Sequence, residues 1–507
     1  MDFLMKKETQ IFTLLAIYVF IMFFIGIKSY KKANSLTNFV VGGRKAGPWM
    51  SAFAYGTSYF SSVIFIGYAG KSGWAFGWWA VLIGVGNAII GSLFAWLVLA
   101  EKTRDVTRRL KIKTMPQFFE QRYGSKNMKY FASAVIFIFM IPYSASVYSG
   151  LSYLCETTLN INYYIAMGII ALIAAVYLIL GGYLASLKAD FVQGIIMIGG
   201  IILMVIFVIN SDFVGGFING IENLSGKMNE SGILYMNSNS IIELVSLILL
   251  TSLGTWGLPQ MTQKFYGIAN KKAVKTATIV STFFAFIISC GAYFIGSLAR
   301  LFPFAGEAAK TGGFDTIVPQ ILDKTLPAIL LGLVLVLVLS ASVSTLSSIT
   351  LTSCSTMTMD VMSNIKKLKL DKKKTFTLTR ILCLCFIIFS YIIASIKSPI
   401  LMLMSFSWGT IAGSFLAPYL YGLLWKKGNK TGAWAAIFTG FGVSVICAVV
   451  SGFNPANASL FGVIAMISSF VAYPIGSLVG IKIGGKNKEV PENFFDKNFT
   501  LQTEEVL

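Results

Sequence analysis

The sequence predicts an all-α polytopic membrane protein with about thirteen transmembrane helices. Of its 507 residues, 56% are hydrophobic and 12% are charged, which is about half the charged fraction of a typical soluble domain. Apolar runs of roughly 20 residues, long enough to cross a bilayer, recur along the chain. Two of these runs are interrupted at membrane depth by glycine, proline and hydroxyl residues, a pattern typical of transporters with discontinuous helices.

Composition also excludes several function classes. The chain has no histidine, and its six cysteines are scattered and lie mostly inside apolar runs, so His-based metal sites, Ser-His-Asp catalysis and a disulfide framework are not expected. The net charge of +20 comes from basic residues in short loops, where they set membrane topology. We therefore expect no enzyme activity, no organic cofactor, no nucleic-acid partner and no obligate protein partner, but a lipid bilayer around the chain.

Thirteen spans can be assigned, near residues 9–29, 47–70, 75–100, 131–154, 162–181, 190–210, 239–261, 274–299, 327–358, 377–396, 400–425, 431–451 and 459–483. With the N-terminus outside, the cytoplasmic loops contain 28 Lys and Arg residues and the outer loops contain six. Because basic residues concentrate on the cytoplasmic side, this asymmetry supports the span count and a cytoplasmic C-terminus. We expect one transmembrane transporter domain over 1–485, in the cell membrane, and a cytoplasmic tail over 486–507.

Short helices are expected outside the bilayer as well. In the cytoplasmic loop 101–130, the segment "TMPQFFEQRYG" offers Thr114 as an N-cap and Pro116 in the first turn. In the outer loop 300–326, the segment "AGEAAKTGGFDTIVPQIL" can form short amphipathic helices.

Spans 2 and 7 are the interrupted ones. They read "GPWMSAFAYGTSYFSSVIFIGYAG" and "LTSLGTWGLPQMTQKF". Unwound backbone at this depth is tolerated where it lines a cavity or an ion site. The two spans lie five apart, so each would open a five-helix unit, 47–210 and 239–425, and an odd-numbered unit that is repeated must be inverted in the membrane. Breaks at matching positions of two inverted repeats predict a central binding site.

Span 9 carries six hydroxyl residues among nine positions, in "LSASVSTLSS". On a helix, Ala341, Ser344, Thr345 and Ser348 share one face, and Ser347 lies beside Ser344. Hydroxyl and carbonyl oxygens are hard ligands that suit a small alkali cation, whereas small residues alone could serve helix packing. Asp190, which opens span 6, is either a charged neighbour of this face or an ordinary acidic residue at a helix N-terminus.

At this point four ordered segments resemble the sodium/solute symporter family. They are "NFVVGGRKAGPWMSAFAYGTS", "TMPQFFEQRYG", "LGGYLASLKADFVQGIIM" and "LSASVSTLSS", and the resemblance covers about residues 9–450. It implies a LeuT-type 5+5 inverted repeat with discontinuous helices 2 and 7. It also implies a sodium-coupled symporter that imports a small organic solute by alternating access, such as an amino acid, a sugar acid such as sialic acid, or a carboxylate.

The resemblance also implies site residues. One sodium site would use backbone carbonyls and hydroxyls of Thr57, Phe60, Ala341, Ser344 and Thr345. A second site, present in some members and compatible with two sodium ions per solute, would use Asp190, Ser344, Ser347 and Ser348. The solute-contact candidates lie beside the two breaks, except Tyr143, which matches a substrate-facing position of the proline branch. They are Tyr59, Ser61, Ser62, Tyr143, Trp256 and Gln260.

The identity of the solute is not implied. In the proline branch an aspartate stands where this chain has Tyr59, and aromatic residues stand where it has Thr251 and Thr255. The alternative function is a proton-coupled amino-acid permease of the same architecture, which would need a protonatable core residue and would give the oxygen cluster no role. A membrane sensor or a channel is less favoured, because the tail is too short for a signalling domain and no filter segment is evident.

Overall fold

The computed structural model describes residues 7–30, 40–311, 313–365, 371–484, 494–496 and 499. Every regular element in these ranges is helical, beside an isolated bridge between Ala46 and Ile268. Eleven helical segments of the described chain are long and apolar enough to cross a membrane. The predicted all-α membrane class is confirmed. The count of thirteen stays a prediction, since span 5 is a shorter apolar segment, Tyr163–Val176, and span 2 is broken.

Eight α-helices form the first half of the chain: α1 (Lys7–Tyr30), α2 (Pro48–Tyr59), α3 (Ala69–Phe76), α4 (Val81–Gly86), α5 (Glu101–Arg109), α6 (Met115–Tyr123), α7 (Lys126–Leu159) and α8 (Tyr163–Ile209). A π-helical segment, Val63–Tyr68, leads into α3. Two more, Asn87–Phe94 and Trp96–Ala100, continue α4 towards α5.

Eleven α-helices follow in the second half: α9 (Phe217–Glu230), α10 (Ser238–Ser252), α11 (Pro259–Tyr266), α12 (Lys271–Ser297), α13 (Pro303–Lys310), α14 (Phe314–Thr325), α15 (Ala328–Thr356), α16 (Lys372–Ala394), α17 (Ile400–Leu424), α18 (Lys430–Val450) and α19 (Ala458–Gly484).

The centre of the molecule lies around α15 and α17. Their apolar windows are 83% and 89% buried inside the protein, whereas that of α1 is only 22% buried. Helix α15 packs against α8, α7, α1 and α2. The hydroxyl-rich helix is therefore surrounded by protein rather than lipid, which is where polar side chains can be satisfied.

Helix α8 differs from the prediction. The predicted spans 162–181 and 190–210 leave a short connecting loop between them, but the helix runs without interruption from Tyr163 to Ile209. The polar residues Lys188 and Asp190 suggested a loop, yet Asp190 is buried and bonded within the protein. At about 1.5 Å per residue the helix is roughly 70 Å long, more than twice the thickness of a bilayer core.

The short helices outside the spans are confirmed. Thr114 caps α6 by accepting a 3.2 Å hydrogen bond from the backbone N–H of Gln117, and Pro116 lies in the first turn. The outer segment forms α13 and α14. Most of the predicted tail, 486–507, lies outside the described residues. Of its described part, Phe494 and Phe495 cover the Arg122 guanidinium of α6 at 5.4 and 4.9 Å from their ring centroids.

A glycine crossing fixes α3, the helix beyond the break of span 2, against α12. A Cβ atom at Gly73 would lie 1.9 Å from the carbonyl oxygen of Gly296, and one at Gly296 would lie 2.0 Å from that of Ala69. The obstructing atoms are backbone, which cannot rotate aside. The close approach therefore requires glycine on both helices.

Gly296→Ala should lower the free energy of unfolding by about 1–3 kcal/mol, because the added methyl group would overlap the backbone of α3. Thermal unfolding of detergent-purified protein measures the effect. Gly442→Ala is the matched control, since no atom lies within 4 Å of the position of its added methyl group. Equal stability of the two variants would show that the helices do not pack as described.

Asp315, in α14, caps the N-terminus of α17. Its Oδ2 accepts a 3.2 Å hydrogen bond from the backbone N–H of Ile400, at the start of α17. Burial of the carboxyl raises the pKa of Asp315 to about 6, against the opposing influence of this hydrogen bond and of Lys71. The folded state therefore holds this proton more tightly than the unfolded chain does.

The stability that the folded protein gains by holding the Asp315 carboxyl protonated should be fully present below about pH 4. It should be lost as the pH rises to about 6. Melting temperatures of the wild type and Asp315→Asn, compared from pH 4.5 to 7.5, measure it. The wild type should lose stability relative to the variant as the pH rises. A difference that does not change with pH would contradict the buried position of the carboxyl.

Candidate cation and solute site

The break in span 2 occurs where the sequence indicates it. Helix α2 ends at Tyr59, Phe60 is extended with φ −105° and ψ 116°, and Ser61 is also outside the helix. The last carbonyls of a helix have no partner in the next turn. At the end of α2 the N–H of Phe60 still bonds the carbonyl of Gly56, so the carbonyl of Thr57, the next along the helix, is available to other partners.

The break in span 7 is of the same kind. Helix α10 ends at Ser252, a 3₁₀ turn spans Leu253–Gly257, and Leu258 is extended before Pro259 opens α11. Proline lacks an N–H and fits the first turn of a helix but not its interior. Both discontinuities predicted from sequence are thus present.

The first predicted sodium cluster is largely assembled. Ser344 Oγ lies 2.9 Å from Thr57 Oγ1, and the Thr345 hydroxyl donates to the Thr57 carbonyl at 3.3 Å. Thr57, Ser344 and Thr345 are buried, so oxygen atoms of the unwound end of α2 and of α15 face each other inside the protein. Phe60 and Ala341 are buried beside these groups, and participation of their carbonyls stays a prediction.

The second predicted cluster also comes together. Asp190 is buried, and its Oδ1 accepts a 2.7 Å hydrogen bond from Ser344. Ser186, one turn earlier on α8, lies 3.4 Å from both Asp190 Oδ2 and Ser347 Oγ. Ser348 Oγ lies 2.9 Å from Ser58 Oγ in α2. Ser344 is shared by the two clusters, as its helical position indicated.

Three residues of this cluster are not predicted from the sequence: Ser58, Ser186 and Lys264. Lys264 lies beyond the predicted span 239–261, in what the sequence indicates is a basic loop, but it is buried in α11. Its Nζ donates to Ser348 Oγ at 2.9 Å and lies 3.4 Å from Asp190 Oδ2. A lysine only five residues after the Pro259 break was the available signal, because an ionisable residue at membrane depth is expected to have a partner.

The solute candidates divide into two groups. Three of them bond to backbone carbonyls: Tyr59 to Thr251 at 2.6 Å, Ser62 to Val147 at 2.8 Å and Trp256 to Ile90 at 3.0 Å. These side chains brace the breaks in this conformation. A fourth, Ser61, accepts a 3.3 Å hydrogen bond from the backbone N–H of Val63, and its hydroxyl proton is not used in that bond.

The other two candidates, Tyr143 and Gln260, keep unused polar atoms. Both amide atoms of buried Gln260 lack a hydrogen-bond partner in the described part of the chain, and so does the Tyr143 hydroxyl. The Tyr143 ring packs edge-on against Trp408, at 5.4 Å between centroids. Buried polar atoms are rarely left unpaired in proteins, so these two side chains are the strongest candidates for solute contact.

A profile of the sodium:solute symporter family matches residues 39–440, which is most of the chain. The chain belongs to the sodium:solute symporter family. This membership confirms the resemblance inferred from the four segments, and the family is one of transporters rather than enzymes.

Relatives of this family member include a "Sodium/proline symporter" of Haemophilus influenzae, 28% identical over 95% of this chain and 96% of that protein. They also include a "High-affinity proline transporter PutP" of Bacillus subtilis, 27% identical over 84% and 90%. A "Sodium/pantothenate symporter" of Haemophilus influenzae is 25% identical over 94% and 96%.

Among solved structures, a Na⁺-coupled sialic acid symporter in a substrate-bound, outward-open state superimposes with a TM-score of 0.75. The alignment covers 94% of this chain and 98% of that one, at 19% identity, and it shows that the two share a fold. The LeuT-type architecture expected of a sodium:solute symporter is thereby confirmed.

Ser344→Ala should raise the sodium concentration that half-saturates transport by about tenfold, because Ser344 contributes to both clusters and a tenfold change corresponds to about 1.4 kcal/mol. Sodium titration of uptake in proteoliposomes measures this. The matched control is Ser342→Ala, since Ser342 is buried in the same helix but bonds only the Val338 carbonyl one turn earlier. An unchanged half-saturating concentration in Ser344→Ala would remove Ser344 from the ion site.

Proposed function

We propose that this family member is a sodium-coupled secondary active symporter. It would import a small organic solute across the cell membrane by alternating access, with its N-terminus outside and its C-terminus in the cytoplasm. One observation carries the proposal: the hydroxyls of Ser344 and Thr345, on a continuous helix, converge on the side chain and carbonyl of Thr57 at the unwound end of α2. We also propose that 47–210 and 239–425 are its inverted repeats within the single domain 1–485.

The chemistry of this convergence suits an alkali cation. Its oxygens are neutral hydroxyls and a carbonyl, which are hard ligands without the charge needed to hold a divalent ion firmly. A sodium ion at this point would bridge the broken helix and α15. Its binding would therefore favour the conformation in which both segments are in place, and with them the adjoining solute site.

Two gradients would drive the transport cycle. Sodium binds from outside, where it is concentrated, and is released inside, where it is scarce. The membrane potential adds about 2.3 kcal/mol per elementary charge for each 100 mV. For a solute without net charge, such as a zwitterionic amino acid, that contribution alone supports roughly 50-fold accumulation for each sodium ion carried. An anionic solute carried with a single sodium ion moves no net charge, so the sodium concentration gradient alone would drive it.

For the solute we propose a small organic molecule that bears a carboxylate, such as an amino acid, a sugar acid or another carboxylic acid. The printed names of relatives mention proline and pantothenate, and the aligned structure binds sialic acid; each of these molecules has a carboxyl group. The unpaired amide of Gln260, beside the second break, has N–H groups that can donate to such a group.

Proton-coupled transport is the second candidate, and one observation favours it. The buried pair formed by Asp190 and Lys264, 3.4 Å apart, supplies the protonatable core residues that a proton-coupled permease requires. It does not explain why neutral oxygens of α2 and α15 converge beside that pair. The two candidates differ in the gradient that they need.

Uptake by the purified protein in proteoliposomes tests the proposal, with radiolabelled proline, pantothenate and sialic acid as probes. An inward sodium gradient should drive accumulation of at least one carboxylate solute, and a proton gradient in sodium-free buffer should not. Collapse of the sodium gradient with an ionophore is the control. Equal accumulation driven by protons without sodium would support the permease instead.

A further inference from the structure

The second oxygen cluster already contains a cation of its own. We propose that the Lys264 ammonium permanently occupies the position of a second sodium ion, so that this symporter binds one sodium ion and not two. The inference rests on the proposed sodium coupling and specifies its stoichiometry. It contradicts the expectation, drawn from sequence, that Asp190, Ser344, Ser347 and Ser348 bind a second ion.

The surroundings of Lys264 are those of a bound cation. Its Nζ lies 2.9 Å from Ser348 Oγ and 3.4 Å from Asp190 Oδ2, two of the oxygens assigned to the second sodium site. The face of the Tyr183 ring lies on another side, with its centroid 5.2 Å from Nζ. An ammonium group has three N–H donors and no acceptor, and an aromatic face attracts a cation.

The charges at the cluster support the same conclusion. Asp190 and Lys264 are both fully buried, with side-chain exposures of 0% and 2%. The carboxylate and the ammonium neutralise each other. A sodium ion added to the same oxygens would leave a net positive charge in a region of low dielectric constant and would lie beside the ammonium. The second ion should therefore bind only if Lys264 is removed.

The first cluster is not affected in this way. Its Thr57 carbonyl and the hydroxyls of Ser344 and Thr345 lie between α2 and α15, whereas Lys264 reaches Ser348 one turn further along α15. Asp190 contacts Ser344 through its other oxygen, Oδ1, at 2.7 Å. The carboxylate can thus stabilise an ion at the first cluster while its Oδ2 faces the ammonium.

A covalently attached cation has a functional consequence. Lys264 cannot dissociate, so it neutralises Asp190 before and after transport and carries no charge across the membrane. Its ammonium also joins α11, which follows the second break, to α15 and α8. The symporter would therefore keep the structural link that a second ion could provide, without using the energy of that ion.

Binding of radioactive sodium to purified protein tests this inference without knowledge of the solute. The wild type should bind one sodium ion per chain, with a Hill coefficient of about 1. Lys264→Met should bind two, with a Hill coefficient that rises towards 2. Lys264→Arg, which keeps the charge, should bind one ion. Lys264→Met combined with Asp190→Asn, which leaves no unpaired buried charge, should also bind one.

Two sodium ions bound by the wild type would overturn the inference, and so would a single ion bound by folded Lys264→Met. If Lys264→Met does not fold, the wild-type number decides the question alone. Failure of the proposed function would look different, because a protein that binds no sodium and transports without it would not be a sodium symporter at all.

Discussion

The rest of the site depends on the contact between the unwound end of α2 and the hydroxyl face of α15. Ending a helix inside a membrane leaves carbonyls without partners, which is costly in hydrocarbon. Here the hydroxyls of Ser344 and Thr345 lie opposite the freed end, at 2.9 and 3.3 Å from Thr57 oxygens. We propose that the same oxygens that relieve the cost of the break also coordinate a cation. On that proposal one set of atoms serves both the stability of the break and ion binding.

The buried pair of Asp190 and Lys264 explains how a charged residue can lie next to this contact. An unpaired carboxylate at that depth would be strongly unfavourable, and pairing within hydrogen-bonding groups reduces the cost. Asp190 is held by Ser344, Ser186 and Lys264, which come from three different helices. The arrangement provides negative charge near the proposed cation site while the molecule remains locally neutral.

Local sequence patterns predicted much of the site. Glycine, serine and proline marked both breaks, and helical spacing placed Ser344, Thr345 and Ser348 on one face of α15. The continuity of α8 was not predicted, because Lys188 and Asp190 have the polarity of a loop. Lys264 was missed because its partners lie 74 and 84 residues away in the chain, and no local pattern reveals such a contact. Family resemblance implied an ion at this cluster, whereas the side-chain geometry shows an ammonium there.

An experimental structure determined in saturating sodium would test the central claim most directly. We predict density for one cation at about 2.4 Å, a distance typical of hard cations and oxygen ligands, from the Thr57 carbonyl and the hydroxyls of Ser344 and Thr345. That density should weaken when sodium is replaced by a large organic cation. Density for sodium elsewhere, with the oxygens of α2 and α15 turned away from each other, would contradict the account.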